Sequence, residues 1–390
     1  MTRMNGKSIL HILPSLVTGG VERVVIDMAG GITAHGGRAL VASAGGPLIA
    51  EVEKAGGDHY QLPLNAKFRL DRFWSNKRAL VALCKREGID LIHAHSRAPA
   101  FPAAWAAKAL DIPFITTYHG IYSEKNRFKA WYNSIMVSGD AVIANSNYTA
   151  NLIRERYGVS DEKLHIVHCG TDTAFFDPTL LDNKEKQALK ERWHLPQTRP
   201  IIMLPARLTD WKGHLLAVEV AEIIKQKTGA CPFFVFVGRA QSQTYLARVR
   251  SAIVEAGLME DIALVGHADT MPLALSLADL VIVPSTKPEA FGFSIAEAAA
   301  MGVPVIAFDH GGAAEIIACP PDVTQEKATG QRVPLRDVTA MADAIRDLMQ
   351  MTPQARRQMG KMGRKRIEKH FSQKQMITET ISVYERVLGL

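Results

Sequence analysis

The chain has 390 residues, which is enough for two α/β domains of ordinary size and too many for one compact core. Hydrophobic residues make up 47% and charged residues 22%, a globular composition that excludes a disordered or fibrous protein. The net charge of +7 is a modest basic excess, which argues against a nucleic-acid-binding protein and leaves anionic small ligands and an anionic membrane surface open.

Four cysteines stand far apart, and no Cys-x-x-Cys pair occurs. This spacing fits neither a zinc site nor a disulfide framework, so we expect free thiols in a reducing compartment. No stretch reaches the ~18 apolar residues that a membrane helix needs. The apolar start of the chain runs into Thr18-Gly19-Gly20 without a signal-peptide cleavage site. The sequence therefore predicts a cytoplasmic protein, with peripheral contact to the inner face of the plasma membrane as an open question.

Short β-branched runs alternate with longer amphipathic stretches through both halves of the chain. In the first half the runs predict strands over residues 8–13, 39–42, 91–95, 114–117, 141–145 and 165–168. In the second half they predict strands over residues 200–204, 232–237, 262–265, 280–284 and 305–308. The stretches between them predict helices, for example over residues 21–32, 149–157, 215–227, 245–256 and 294–301. Repeated strand–helix alternation predicts an α/β protein with two Rossmann-like domains, each built on a parallel sheet.

The boundary between these domains is expected within Asp172–Leu181, where a proline and two phenylalanines form a turn. We place the first domain at residues 1–178 and the second at 179–372. The final segment carries apolar residues at helical spacing, so residues 373–390 are predicted to form a helix that packs back on the first domain.

Gly19 and Gly20 follow the first predicted strand directly and precede a predicted helix. Two glycines let the backbone turn tightly and approach a ligand, and the helix N-terminus favours an anion. A plain strand-to-helix turn is the alternative. The segment is neither Gly-x-Gly-x-x-Gly nor a Walker loop, which disfavours an NAD dehydrogenase.

Arg207 and Lys212 follow the first strand of the second half. Cations at a strand end and a helix start can converge on a diphosphate, with Arg clamping two oxygens and Lys acting as a point charge. Two solvated surface cations are the alternative.

The segment from Pro288 to Gly302 follows the predicted strand 280–284, at the carboxyl edge where open α/β sheets bind ligands. Glu289 lies in the loop and Glu297 about one turn into the following helix. The backbone N–H groups between them, at a helix N-terminus, form a candidate anion site without metal. A buried Ala-rich helix with an incidental acidic cap is the alternative, but a Glu inside such a helix is costly without a partner.

Glu289 and Glu297, spaced Glu-x7-Glu and flanked by Phe-Gly-Phe and Ala-Met-Gly, resemble the signature of glycosyltransferase family 4, the group 1 glycosyltransferases. These are retaining enzymes of the GT-B fold, with two Rossmann-like domains facing across a cleft, and they use nucleotide-sugar donors. The resemblance spans nearly the whole chain. It includes Gly19-Gly20-Val21-Glu22, Thr116–Gly120, Asn145-Ser146, Arg207 with Lys212-Gly213, and Gly311-Gly312 with Glu315.

The resemblance implies a donor site in the second domain. Arg207 and Lys212 would hold the diphosphate, Glu289 would bind hydroxyls of the transferred sugar, and Glu297 would bind the ribose hydroxyls. The backbone at Phe291, Gly292, Phe293 and Ser294 would support the phosphates, and the base would lie near Gly266 and His267. The family often has Gly where Ala206 precedes the arginine here, a change we expect to be tolerated.

The resemblance also implies an acceptor-binding first domain. His119 would sit at the sugar and bond a hydroxyl near the reacting carbon, and Gly20, beside Gly19, would give the closest backbone approach. No cofactor and no metal are expected: the chain has no Asp-x-Asp, and cations and helix N–H dipoles can stabilise the leaving diphosphate. Front-face attack by the acceptor hydroxyl is the family's debated route to retention.

His93 and His95 stand at alternate positions of a predicted strand and so share one face. No further ligand cluster follows them at metal-binding spacing, so we interpret them as strand residues that line or support the cleft. His11 is interpreted as a strand residue with local partners.

Two stretches of the first domain place basic residues beside aromatic ones, residues 67–86 and 125–132. This mixture suits an anionic lipid surface. A solvated helix face with the aromatic rings in the core is the alternative.

The sequence thus predicts a hexosyltransferase that moves a sugar from a UDP- or GDP-sugar to a hydroxyl of a bacterial surface glycan or lipid-linked acceptor. Lipopolysaccharide core or other polysaccharide biosynthesis is the expected pathway. The alternatives are a nucleotide-sugar epimerase on the same fold and a non-catalytic nucleotide-sugar-binding protein.

Overall fold

The computed structural model describes residues 4–17, 19–65 and 70–390. They divide into two compact units, one formed by Met1–Gly170 with Gln373–Leu390 and the other by Thr171–Ser372. Each unit is an α/β structure with one wholly parallel sheet, as the strand–helix alternation predicts.

The first unit has a seven-stranded sheet in the order β3-β2-β1-β4-β5-β6-β7. Its strands are β1 (Ser8–Ile12), β2 (Arg38–Ser43), β3 (Asp58–Gln61), β4 (Leu91–Ala94), β5 (Phe114–Tyr118), β6 (Ala141–Ala144) and β7 (Leu164–Ile166). Its helices are α1 (Gly20–Ala34), α2 (Ile49–Lys54), α3 (Leu70–Glu87), α4 (Arg97–Leu110), α5 (Arg127–Ser134), α6 (Asn147–Tyr157) and the last helix of the chain, α15 (Gln373–Val387). Helix α15 packs against α1, and the side chain of Ile377 occupies the space beside Gly31.

The second unit has a six-stranded sheet in the order β10-β9-β8-β11-β12-β13. Its strands are β8 (Ile201–Pro205), β9 (Phe233–Val237), β10 (Ile262–Gly266), β11 (Leu280–Val283), β12 (Val305–Phe308) and β13 (Gly330–Val333). Its helices are α7 (Asn183–Arg192), α8 (His214–Thr228), α9 (Gln243–Glu255), α10 (Met271–Leu275), α11 (Phe293–Ala300), α12 (Ala313–Ile316), α13 (Val338–Gln350) and α14 (Pro353–His370).

The central strands are buried along their whole length, which explains why they read as continuous apolar runs. The sequence missed one strand in each sheet, β3 and β13, and both are edge strands. Their residues, Asp-His-Tyr-Gln and Gly-Gln-Arg-Val, give no apolar run because an edge strand is only partly covered.

The structure divides the chain after Gly170, eight residues before the expected boundary at residue 178. The guanidinium of Arg364 on α14 explains the position, since it donates hydrogen bonds to the carbonyl oxygens of Thr173 and Phe176 and pairs with Asp177. These contacts attach the connecting segment to the second unit.

In each sheet the strand order reverses at one point, the point where the sheet changes direction. In each unit the chain builds outward from its first strand, β1 or β8, and then crosses to the other side, so that β4 pairs with β1 and β11 pairs with β8. In open α/β sheets the crevice at the carboxyl ends of such a strand pair is the usual ligand site. Three of the candidate residues follow strands of these pairs: Gly20 follows β1, Lys212 follows β8 and Glu289 follows β11.

All four cysteines are buried free thiols, as the spacing predicts. Within the described part of the chain, no helix is both long and apolar enough to cross a membrane.

Candidate functional site

Lys212 and Glu289 form an ion pair where the second sheet changes direction. Lys212 ends the turn that follows β8, and Glu289 lies in the loop after β11. The Nζ–Oε2 distance is 2.8 Å, and the two side chains are only 11% and 17% exposed. The Ser285 hydroxyl donates a 2.6 Å hydrogen bond to the other carboxylate oxygen of Glu289. The structure therefore brings together two residues that lie 77 positions apart in the sequence.

The turn that carries Lys212 is fixed by the backbone. Gly213 has φ +78°, and an added Cβ there would clash with the carbonyl oxygen of Pro284. The Thr286 N–H donates to the carbonyl oxygen of Trp211 at 2.7 Å, which joins the β8 turn to the β11 loop. The ammonium of Lys212 also lies 4.4 Å from the centroid of the Trp211 ring. These contacts hold Lys212 and Glu289 in one geometry.

The loop that carries Glu289 packs against the glycines after β12. The Gly312 N–H donates to the Glu289 carbonyl oxygen at 2.9 Å, and an added Cβ on Gly312 would clash with the Phe291 carbonyl oxygen. Only a residue without a side chain permits this approach. Gly311-Gly312, quoted above as part of the family pattern, therefore positions the loop directly.

Helix α11 starts beside the end of β8. Gly292 adopts φ +109° just before the helix, and the Ser294 hydroxyl donates to the Pro205 carbonyl oxygen at 2.8 Å. The rings of Phe291 and Phe293 contact each other edge to face, with centroids 5.1 Å apart. The N-terminus of α11, where a helix dipole favours negative charge, therefore lies at the carboxyl end of β8, the strand that precedes the turn carrying Lys212.

Glu297 is a half-buried carboxyl on α11 with no hydrogen-bond or ion-pair partner for its side chain among the described residues. Burial raises its pKa to about 7, and the nearby positive charge of Lys212 opposes that rise. A buried acid without a partner is costly, so the position is more easily explained by a ligand than by packing.

The remaining candidates of the second unit are exposed. Arg207 and His267 project into solvent, and neither side chain has a hydrogen-bond or ion-pair partner in the ranges described. Gly266 ends β10 with φ +75°, and its carbonyl oxygen accepts from the Gly238 N–H at 2.6 Å. The structure thus pairs Lys212 with Glu289 and leaves Arg207 free, whereas the sequence grouped the two cations.

In the first unit the candidates follow two strands, β1 and β5, which lie on either side of β4. Gly19 and Gly20 lie at the start of α1, after β1, and His119 follows β5 directly. Thr18, which the sequence grouped with the two glycines, lies outside the described residues. The Asn145 side chain donates to the His119 carbonyl oxygen at 3.3 Å, so two motifs of the family resemblance meet here.

Four histidines cluster between these strand ends. His11 on β1 and His93 on β4 are register partners, and His95 follows β4. His95 bonds His11 on one side and His119 on the other, with N–N distances of 2.9 Å in both cases. The expectation that His11 has local partners holds for Nδ1 and fails for the buried Nε2, which has no partner among residues 4–17, 19–65 and 70–390.

The nitrogens of His11, His93 and His95 lie within 4.8 Å of one another, close enough to hold a metal ion. Both ring nitrogens of His93 already bond hydroxyl groups, those of Tyr384 and Thr117, each at 2.7 Å. Among the described residues, hydrogen bonds therefore account for every ring nitrogen of the four histidines except His11 Nε2 and His119 Nδ1. The alternation of His93 and His95 was a usable signal for the cluster. No sequence signal pointed to His11 or to Tyr384 on α15, because these residues come from distant segments. No signal pointed to the contact of Ser285 with Glu289 either.

Comparison with known proteins gives a consistent result. A family model described as "Glycosyltransferase Family 4" matches residues 18–175, and one described as "Glycosyl transferases group 1" matches residues 185–366. A glycosyltransferase structure from Rickettsia africae is 30% identical, with 98% of this chain and 99% of that chain covered and a TM-score of 0.89.

Two further proteins are more distant. A D-inositol 3-phosphate glycosyltransferase from Jonesia denitrificans is 26% identical over 314 residues, 76% of this chain and 72% of the relative. The structure of Anabaena HepE in complex with UDP-glucose is 20% identical, covers 97% of this chain and 99% of that chain, and has a TM-score of 0.82. These structural likenesses identify the two Rossmann-like units as those of the GT-B fold.

Proposed function

Because this chain belongs to the family 4, group 1 glycosyltransferases, we propose that it transfers a hexose from a UDP- or GDP-sugar to a hydroxyl of a bacterial surface glycan or lipid-linked acceptor. The observation that carries the proposal is the buried Lys212–Glu289 pair at the point where the second sheet changes direction. A cation and a sugar-binding carboxylate side by side suit a ligand that carries a phosphate next to a sugar.

The leaving diphosphate is the group that most needs stabilisation. Breaking the glycosyl–phosphate bond leaves growing negative charge on the phosphate oxygens and an oxocarbenium-like sugar. Lys212, the unpaired Arg207 and the N–H groups at the start of α11 would meet that charge. The proposal therefore includes metal-independent stabilisation of the leaving group, with no cofactor.

The other proposed contacts would lie along a bound nucleotide-sugar, from its sugar to its base. Glu289 would accept hydrogen bonds from sugar hydroxyls, and Glu297 would accept them from the ribose. The base would lie beside Gly266 and His267. From the first domain, His119 would bond a sugar hydroxyl near the reacting carbon, and Gly20 would allow a close approach.

Retention of the anomeric configuration is part of the proposal. The acceptor hydroxyl would attack on the face from which the phosphate departs, and a phosphate oxygen would take its proton. The names of two relatives support transfer over the two alternatives, since the Jonesia protein is a D-inositol 3-phosphate glycosyltransferase and HepE was solved with UDP-glucose. The Jonesia name also favours a phosphorylated acceptor.

The test is to supply four donors in turn: UDP-glucose, UDP-galactose, UDP-N-acetylglucosamine and GDP-mannose. NMR follows the release of diphosphate and the formation of the sugar product. The proposal expects one donor to give diphosphate and, at early times, a sugar with the donor's own anomeric configuration. Conversion to another nucleotide-sugar without diphosphate release would identify an epimerase. Binding without any turnover, with a bacterial lipid extract added as acceptor, would identify a binding protein. Lys212→Ala is the negative control.

We also propose that the first unit contacts an anionic membrane surface. Trp74 on α3 and Phe128 and Trp131 on α5 are each more than half exposed. Trp74 stacks on Trp105 at 5.4 Å, and Trp131 lies 5.6 Å from Phe101, so α4 links the two groups into one aromatic patch. Exposed cations flank this patch: Arg72, Arg78, Lys125, Arg127 and Lys129. Phe73, by contrast, is buried, and Lys67, Phe68 and Arg69 of the predicted basic stretch lie outside the described residues.

Co-sedimentation with phosphatidylglycerol vesicles at low salt tests this surface. We expect binding by the intact protein and at least a tenfold loss in a Phe128→Ser/Trp131→Ser variant. Phe175→Ser is the matched control, since Phe175 is equally exposed at 55% but lies in the second unit. Equal binding of both variants, or no binding by the intact protein, would contradict the proposal.

A further inference from the structure

The buried histidines of the first unit form a chain with a defined order. His119 Nε2 bonds His95 Nδ1, and His95 Nε2 bonds His11 Nδ1, each at 2.9 Å. Successive rings are stacked, with centroids 5.1 Å apart in both steps and interplanar angles of 27° and 22°. The inner end, His11 Nε2, is buried and has no hydrogen-bond partner in the part of the chain that the structure describes. The outer end, His119 Nδ1, has no hydrogen-bond partner among the described residues and belongs to a ring that keeps some exposure.

His93 stands beside this chain but not in it. Its ring lies 4.0 Å from that of His95, yet its two nitrogens bond the hydroxyls of Tyr384 and Thr117. A hydroxyl can donate or accept, so these bonds place no restriction on the protons of the chain.

All three rings of the chain are neutral at physiological pH. Burial lowers the pKa of His11 and of His119 to about 3, and burial together with the neighbouring histidines keeps the pKa of His95 well below its usual range. A neutral imidazole carries one N–H and one lone pair. Each of the two ring-to-ring bonds needs one donor, so the protons can be arranged in only two ways.

In the first arrangement every ring is protonated on Nδ1. His11 donates to His95, His95 donates to His119, and the buried His11 Nε2 is left as a lone pair. In the second arrangement every ring is protonated on Nε2, the donors point the other way, and the buried His11 Nε2 is left as an N–H without an acceptor. In folded proteins, buried N–H donors without acceptors are rarer than buried acceptors without donors, because an acceptor with an unused lone pair is more easily accommodated. The first arrangement is therefore favoured.

We propose that His11 and His95 are positioning residues that fix His119 as its Nδ1–H tautomer, so that its outer nitrogen donates a hydrogen bond to an oxygen of the transferred sugar. This inference rests on the proposed place of His119 at the sugar. A neutral donor suits that place, because a cationic ring would repel the positive charge that develops on the sugar in the transition state.

The direct test is two-bond ¹H–¹⁵N correlation NMR on protein with ¹⁵N-labelled histidine, assigned with single histidine variants. The expected result is protonated Nδ1 on His11, His95 and His119. Protonated Nε2 on His119 would overturn the proposal, and so would one equivalent of a transition metal found by elemental analysis at the cluster. The spectrum is recorded without substrate, so its outcome does not depend on whether the protein proves to be a glycosyltransferase.

Variants at the inner end separate positioning from packing. His11→Leu removes the donor to His95, whereas the amide of His11→Asn can supply one near the position of Nδ1. We expect His11→Leu to shift His119 toward protonated Nε2 and to lower kcat about fivefold to tenfold, the loss of one hydrogen bond. His11→Asn should restore both readouts, and the KM for the donor should change little in either variant.

Tyr384→Phe is the matched control, because it removes a hydroxyl from the same cluster without touching the chain. It should leave the tautomer of His119 and the turnover unchanged. An unchanged His119 tautomer in folded His11→Leu would contradict the proposal; if His11→Leu does not fold, the spectrum of the unaltered protein decides alone.

Discussion

The two sheets carry different chemistry at the same topological position. Where the strand order of the second sheet reverses, Lys212 and Glu289 form a partly buried ion pair. Arg207, nearby in sequence, has no side-chain partner within the ranges that the structure describes. Where the first sheet changes direction, the polar groups are neutral imidazoles that bond one another. One unit therefore has an ion pair at this position, and the other has imidazoles that are hydrogen-bonded to one another.

This difference fits the division of a glycosyl-transfer step. The diphosphate gains negative charge as it leaves, and preorganised cations stabilise that change. The sugar gains positive charge, which a nearby cation would repel and a neutral hydrogen-bond donor would not. Turnover should therefore depend on the tautomer of His119 in the first unit and on the charge of Lys212 in the second.

Removing the charge of Lys212 should have the largest effect on turnover. Lys212→Ala is expected to lower kcat by ~10²–10³-fold, as for loss of a preorganised group that stabilises developing charge. Lys227→Ala, which removes an exposed cation of α8 paired with Asp343, is the control and should retain activity. A kcat for Lys212→Ala within threefold of the unaltered protein would remove Lys212 from the site.

Glu289→Gln should separate sugar handling from nucleotide binding. It keeps an acceptor for the Ser285 hydroxyl but loses the charge that pairs with Lys212. We expect kcat to fall about tenfold to a hundredfold, the worth of a hydrogen bond to a charged group, while calorimetry shows unchanged or tighter binding of the free diphosphate. Diphosphate affinity that falls as far as kcat would assign Glu289 to the nucleotide instead.

The pH dependence of donor binding should report on Glu297. Its pKa is raised to about 7, and only the carboxylate form accepts from two ribose hydroxyls. Affinity for the nucleotide-sugar should therefore rise about tenfold between pH 6 and pH 8. Because the folded protein binds this proton more tightly than the unfolded chain does, stability without ligand should fall as pH rises from about 4.5 through 7. Titration calorimetry from pH 6 to pH 8 should show no pH dependence of this affinity for Glu297→Gln. The same pH dependence in Glu297→Gln as in the unaltered protein would contradict the placement of Glu297 at the ribose.

Arg207→Ala should have the smallest effect of the four. The side chain is exposed and unpaired among the described residues, so the melting temperature should stay within about 2 °C. Affinity for the diphosphate should fall about fivefold to tenfold, the loss of a single solvent-exposed contact. Arg192→Ala, which removes an exposed guanidinium paired with Asp269, is the control. Equal affinities of the two variants would show that Arg207 is a plain surface cation.

The features that could be predicted from the sequence are those encoded by neighbouring residues. The buried central strands and most helices follow from apolar periodicity, whereas the edge strands β3 and β13 do not, because half-covered strands carry polar residues. The candidate donor residues lie in contiguous motifs after β8 and β11, which made them visible without a structure.

The histidine chain was not visible in this way. Its members come from three strands, and Tyr384 joins their cluster from the last helix of the chain, so no local spacing connects them. The partner of Glu289 was missed for a similar reason: the sequence grouped Lys212 with Arg207 because they are neighbours in the chain. The fold pairs Lys212 with the loop of the adjacent strand instead.

The most direct test of the central claim is calorimetric titration of the protein with UDP and with GDP in the presence of EDTA. We expect one of the two diphosphates to bind without metal, and we expect Lys212→Ala to weaken this binding. Binding of neither diphosphate, or binding that appears only after a divalent cation is added, would contradict it.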